Sequence, residues 1–383
     1  MFIPPIMRDT GQPMPAAGLA HAAPARASPT RDIRAPAWTL AVCVPVRDER
    51  DHIAALLDAL ARQTVAADTF VLCLLFDGCS DGGERYVQRR AAALPYAVVT
   101  QRIPRQQPAS AGRARRAAMA LGAATLARCG PAGAAPDDAV LLSTDADSVP
   151  ADDWLAANRR ALAAVDVVAG YIERPDAAPS EAHRRVERYW ERLRCLQRTV
   201  DPLPHDPAPS HPSQGGASLA FRAAVYAALG GFEDVAAHED LRLVTAARRA
   251  GYRVRHDRAV RVATSSRLIG RADAGLAETL RTRAADRNPP RVEAPDAALA
   301  RFRRAAAARR AFAALHEAPI RDELATLLAI DADELRRLAA RCNNAEAFVM
   351  SVVPDPCTAD EIALDQAETR LHTLETEHAC PSP

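Results

Sequence analysis

Three short, unbroken apolar runs each end abruptly at a polar turn: Thr39–Val46 (TLAVCVPV), Phe70–Phe76 (FVLCLLF) and Ala139–Ser143 (AVLLS). Runs of this length without alternation are expected of strands covered on both faces. Between the first two, Ile53, Leu56, Leu57 and Leu60 repeat at helix spacing. A further strand is predicted at Tyr96–Thr100, followed by a long Ala/Arg helix over 112–128. Strands alternating with helices predict an α/β protein with a doubly wound, mostly parallel sheet. In such sheets ligands bind beyond the carboxyl ends of the strands. The turns Asp77-Gly-Cys-Ser-Asp81 and Thr144-Asp-Ala-Asp-Ser148 occupy those ends.

The pattern continues with a helix (153–164), a strand (165–172) and a charged helix (180–199). Pro202, Pro204, Pro207, Pro209 and Pro212 make 201–213 an irregular loop, in which His205 and His211 are expected at the surface. Gly215–Arg222 reads as a strand, and a helix closes at Gly230-Gly231. A helix over 239–249 and a last strand near Val254–Ala263 follow. From Arg271 the chain reads as a helical C-terminal extension (271–383), broken at Pro289-Pro290. Residues 1–37 are rich in Pro and Ala and read as a disordered leader rather than a signal peptide. No apolar run is long enough to span a bilayer, so no transmembrane segment is expected.

Charge narrows the function. All 49 basic residues are arginine, and with 48 acidic residues the net charge is +1. That balance argues against nucleic acid as a partner. Without lysine there is no Schiff base, no lysine general base and no P-loop lysine. The eight cysteines form no CxxC pair, and Cys43 and Cys73 lie in apolar runs, as expected of reduced thiols in a cytoplasmic protein.

Asp145 and Asp147 form a D-x-D whose carboxylates can converge on a hard cation such as Mg²⁺ or Mn²⁺. Asp147 or Ser148 could equally cap the helix after Pro150. Asp77 could accept hydrogen bonds from a base or ribose, with Gly78 and Gly82-Gly83 allowing close approach; a tight turn explains the same residues. In Pro45-Val-Arg-Asp-Glu49, Arg47 could meet a phosphate and Glu49 a hydroxyl, and a surface charge cluster leading into a helix explains them equally. Arg113, Arg115 and Arg116 open a helix and suit a diphosphate, although in so arginine-rich a chain solvated surface arginines explain them as well. His238-Glu239-Asp240 starts another helix: acidic residues suit its first turn, or a carboxylate there serves as general base.

In this order the blocks VPVRDER (44–50), FDGCSDGG (76–83), GRARRAAM (112–119), STDADSVPADDW (143–154), GGASLAFRAAVYAALGGF (215–232) and HEDLRL (238–243) resemble a family 2 glycosyltransferase of the GT-A fold over roughly 38–270. The resemblance implies that Pro45, Arg47 and Glu49 border the nucleotide and that Asp77 faces its base. It implies Arg115, and with it Arg113, near the base or diphosphate, Asp145 near ribose and metal, and Asp147 on the cation. Gly216 and Ser218 would line the acceptor side, and Asp240 would deprotonate the acceptor hydroxyl. The implied reaction moves one sugar from a nucleotide-diphosphate sugar to a hydroxyl acceptor with inversion, using Mn²⁺ or Mg²⁺. The chain departs from the family pattern in having Ala120 where an asparagine is frequent, and no histidine in Arg261–Arg267. A processive Q-x-x-R-W motif is missing too, so chain-building is not expected. A sugar-phosphate nucleotidyltransferase would need the absent lysine. A catalytically inactive GT-A assembly module, joining a homo-oligomer through the helical tail, is the other alternative.

Overall fold

The computed structural model describes residues 38–129, 139–174, 181–264 and 290–380. The leader 1–37 and the stretch 265–289, with the start of the expected tail helix and Pro289, lie outside them.

The first apolar runs become β1 (Leu40–Val46) and β2 (Phe70–Asp77), with α1 (Ile53–Ala61) between them. Next come α2 (Gly83–Ala91), β3 (Ala97–Ile103), α3 (Ala111–Cys129) and β4 (Val140–Ser143). β1 is apolar throughout because both its faces are covered. Leu40, Val42, Val44 and Val46 pack with Ile53, Leu56, Leu57 and Leu60 of α1. Ala41 and Cys43 pack on the other side with Ala118, Met119 and Leu121 of α3. β2, β1 and β4 run parallel in register, Cys43 standing opposite Cys73 and Ser143. Their carboxyl ends therefore open on one edge.

The chain then supplies β5 (Ser148–Pro150), α4 (Trp154–Leu162), β6 (Val167–Glu173), α5 (Glu181–Val200), β7 (Leu219–Arg222), α6 (Ala223–Ala228), α7 (Glu239–Arg249) and β8 (Val254–Thr264). One eight-stranded sheet results, in the order β3-β2-β1-β4-β7-β6-β8-β5. β7 runs antiparallel to both β4 and β6, so its start faces the carboxyl end of β4. The sheet is mixed but mostly parallel, as predicted, with β3, β2, β1 and β4 all running the same way.

Two stretches depart from expectation. Gly215–Arg222 is not one strand: Gly216–Ser218 forms a 3-10 turn before β7. Its backbone groups are engaged sideways by side chains instead of by a neighbouring strand. Asp147 and Ser148 do not cap α4. Residues 148–150 pair with β8, Ser148 Oγ donates to Thr264 Oγ1 at 3.1 Å, and the cap position falls to Asp153.

Among its described residues the tail is helical but for a two-stranded ribbon, β9 (Arg291–Glu293) with β10 (Glu361–Ala363). Its helices are α8 (Pro295–Ala311), α9 (Ala318–Leu328), α10 (Ala332–Ala340), α11 (Ala345–Val352) and α12 (Leu364–Glu377). Val186, Tyr189, Leu193 and Leu196 of α5 share a core with Val292, Leu299, Phe302 and Leu371. Glu346 of α11 lies between Arg248 of α7 (2.9 Å) and Arg309 of α8, and Arg309 also holds Asp201 at 3.1 Å. No helix among the described residues is long and apolar enough to cross a membrane.

Candidate active site

The carboxyl ends of β1, β2 and β4 meet the first turns of α3 and α7 and the Gly216 turn. Arg115 is the centre of this meeting. It is only 8% exposed, although it stands on an alanine-rich helix. Its NH1 donates to Asp145 Oδ1 (2.8 Å), Ser143 Oγ (3.1 Å) and the Gly216 carbonyl (3.0 Å), and its Nε donates to Glu239 Oε1 (3.1 Å). Burial disfavours the guanidinium charge, but Asp145, Glu239 and Asp240 outweigh it, so the pKa of Arg115 rises above its usual value. The Glu239 carboxyl shifts upward, through burial, against the pull of Arg115.

Gly216 joins two halves. Its carbonyl accepts from Arg115 and from Ser143 Oγ (2.8 Å), and its N–H donates to Asp240 Oδ2 at 2.9 Å. A Cβ at this position would lie 2.4 Å from Arg115 Cζ, so only glycine admits the guanidinium. Asp240 Oδ1 accepts the N–H of Leu241 at 2.7 Å, which fixes the carboxylate in the first turn of α7. His238 before it adopts φ 64°, turning the chain into the helix.

A second grouping lies at the ends of β1 and β2. Asp77 is 1% exposed. Arg47 holds its Oδ2 through Nε (3.1 Å) and NH2, and the Gln106 N–H reaches Oδ1 at 3.0 Å. Arg113 touches Gln106 Oε1 (3.3 Å) but is chiefly bound to Asp234 (2.8 Å). Pro45 ends this edge of β1 half-buried, and Glu49 is buried with His52 Nδ1 3.0 Å away. Asp48, at φ 52°, accepts the Ser80 N–H at 2.7 Å. That bond, ahead of the attraction of Arg105, lowers its pKa.

Asp145, Arg115, Gly216 and Asp240 are thus one connected unit, and Arg47, Asp77 and Arg113 meet through Gln106. Asp147 is half-buried, and Thr264 Oγ1 donates to its Oδ1 at 3.5 Å. Ser218 is turned into the core, accepting from Trp154 Nε1 at 3.3 Å. Asp145, Asp147 and Thr264 offer only oxygen, the donor chemistry that Mg²⁺ and Mn²⁺ prefer. Ser143, Gln106, Thr264 and the pairing role of Glu239 are not visible in the sequence. The only advance sign of Glu239's role is an acidic residue beside Asp240.

The expected surface position of His211 is wrong. It is fully buried, its ring edge-on to Tyr171 (5.4 Å) and to His256 (5.7 Å), because the loop folds inward onto β6 and β8. His205 is partly buried, and burial lowers its pKa.

A sequence profile described as glycosyltransferase like family 2 matches residues 36–285, well over half of the chain. No curated protein sequence matches. Among solved structures the chain is similar to the mannosyltransferase PcManGT from Pyrobaculum calidifontis in complex with GDP-Man and Mn²⁺, at 20% identity over 86% of this chain and 89% of that one, TM-score 0.43. It is also similar to S. aureus TarS 1–349, at 13% identity over 82% and 89%, TM-score 0.44. These superpositions are too loose to carry over a residue or a ligand. The profile match decides: the chain belongs to the family 2 glycosyltransferases.

Proposed function

We propose that this glycosyltransferase moves a single sugar from a nucleotide-diphosphate donor to a hydroxyl acceptor with inversion, Asp240 acting as the general base. The observation that carries the reading is the shared contact at Gly216: Asp240 is bound to its N–H while the D-x-D residue Asp145 reaches its carbonyl through Arg115. The residue read as base and the first carboxylate of the D-x-D are thereby tied to the two backbone groups of one residue, which supports one shared site for them. In this reading Arg47, Asp77 and Arg113 mark the nucleotide end. Asp147, with Asp145 and the Thr264 hydroxyl, would hold a divalent cation that neutralises the leaving diphosphate. Arg115 orients Asp145 and Glu239. Eight unpaired cysteines suit a reducing compartment, the cytoplasm.

The test combines a variant with metal removal. Asp240→Asn should still bind donor, read as a thermal shift, while transfer falls by about 10³-fold or more. Near-normal turnover would remove Asp240 as the base. EDTA should abolish activity and Mn²⁺ or Mg²⁺ restore it; chelator-insensitive turnover would remove the cation from the reading.

A further inference from the structure

The proline-rich loop 201–213 cannot fasten itself through backbone donors at its five prolines, so side chains do it. Asp206, 1% exposed, accepts from the His256 N–H (3.0 Å), Ser210 Oγ (3.2 Å) and Arg194 (2.5 Å), with Arg198 at 3.3 Å. Arg194 Nε also donates to Ser210 Oγ (3.1 Å), and Arg258 Nε to the Ser210 carbonyl (3.2 Å). The loop is thereby bound to α5 on one side and β8 on the other. His211 follows at once. Its Nδ1 accepts the N–H of Ser213 at 3.2 Å. Burial, with His256 and Arg194 nearby, drives its pKa well below the usual value, so the ring is neutral; the bond takes the tautomer with its proton on Nε2, a nitrogen buried without a hydrogen-bond partner among the described residues. Pro212 has a fixed φ, and Gly215 already accepts from Ser218 N at 3.0 Å. Two residues, Gln214 and Gly215, then separate the held Ser213 from Gly216.

We infer that His211 is a positioning residue for sugar transfer: by holding the Ser213 backbone it sets the entry into Gly216 and so aims the Gly216 N–H at Asp240. The inference rests on the reading of Asp240 as base, and it extends that site back to a residue with no contact to it.

Two substitutions separate the bond from the packing. His211→Phe keeps a ring and removes the acceptor; His211→Asn removes the ring but offers an oxygen to the N–H two residues on. Amide hydrogen exchange followed by mass spectrometry needs no ligand. His211→Phe should speed exchange over 213–218 at least tenfold while β1 stays as protected as in the parent, and His211→Asn should stay within threefold of the parent. Unchanged exchange over 213–218 in His211→Phe would overturn the inference. If His211→Phe does not fold, Ser213→Pro removes the same bond from the donor side and decides on the same readout.

The kinetic arm follows nucleoside diphosphate release from UDP-GlcNAc and GDP-mannose with Mn²⁺. His211→Phe should lower kcat about tenfold with the donor KM within twofold. In the Asp240→Asn background it should cost no more than threefold further, since residues acting through one group are not additive. Equal losses in both backgrounds would overturn the inference while leaving Asp240 as base. Normal turnover by Asp240→Asn alone would instead remove the base reading and the route through it. With neither donor turned over, the exchange result decides.

Discussion

Arg115 and Glu239, 124 positions apart in sequence, meet at 3.1 Å where both are nearly closed to water. The pair ties the start of α7 to α3, and through the remaining bonds of Arg115 to β4 and the Gly216 turn. Arg115→Ala would leave the Glu239 carboxylate buried without its cation. The expected loss is about 3–5 kcal/mol, read from urea unfolding. Arg115→Met with Glu239→Met should lose clearly less than Arg115→Ala; a double variant as unstable as the single would contradict this account.

Gly216→Ala forces its new methyl against the Arg115 guanidinium. A cost of about 1–3 kcal/mol is expected from such crowding, along with a fall in kcat from the displaced Asp240 contact. Parent stability and parent kcat together would show that the turn can give way.

Acid should weaken the fold in two stages. Burial, then the nearby Arg194, pushes the His256 imidazole down to about 4. From about pH 6.5 down to that value the unfolded chain binds a proton that the folded chain does not. Stability is therefore full above 6.5 and falls with pH, by about 1.4 kcal/mol per pH unit for each such histidine. Glu346 behaves as an ion-paired carboxylate: burial opposes its charge, but Arg248 and Arg309 win and hold it at about 2. Its contribution is present above the usual carboxylate pKa and is lost as pH falls toward 2. Urea midpoints at pH 7, 6 and 5 should thus fall for the parent and fall less for His256→Asn. An equal slope in that variant would assign the loss to other groups.

The seam between tail and sheet should prove necessary for folding. Glu346→Ala strips two guanidiniums of a shared partner, and because both are partly exposed the expected cost is about 2–3 kcal/mol. A chain ending at 270 would leave Tyr189 and Leu196 of α5 without the residues of β9, α8 and α12 that cover them. It should aggregate or melt far below the parent. A monomeric, cooperatively folding 1–270 chain would show that α5 finds cover elsewhere.

The first half of the sheet was legible because β1 and β2 are apolar on both faces and end in acidic turns, a signal local to each run. The D-x-D could be picked out as a candidate for the same reason, since it follows β4, and Asp240 from the acidic opening of a helix. Arg115 could be picked out as a candidate but not as a buried hub, since its partners lie 28 to 124 positions away. His211 was misread because proline content speaks for irregular backbone and says nothing of depth. The loop is buried through side-chain bonds to Arg194 and His256, which no local pattern announces. β5 escaped notice because three residues paired to a distant strand carry no periodicity of their own.

Gly216 also constrains redesign. A replacement for the loop before it must keep a glycine here with its N–H and carbonyl facing opposite ways, and must also restore the Asp206 bonds to α5 and β8 and the His211–Ser213 bond. A transplanted loop ending in any other residue would disturb the Arg115 and Asp240 contacts together, so neither could be altered from that junction without the other.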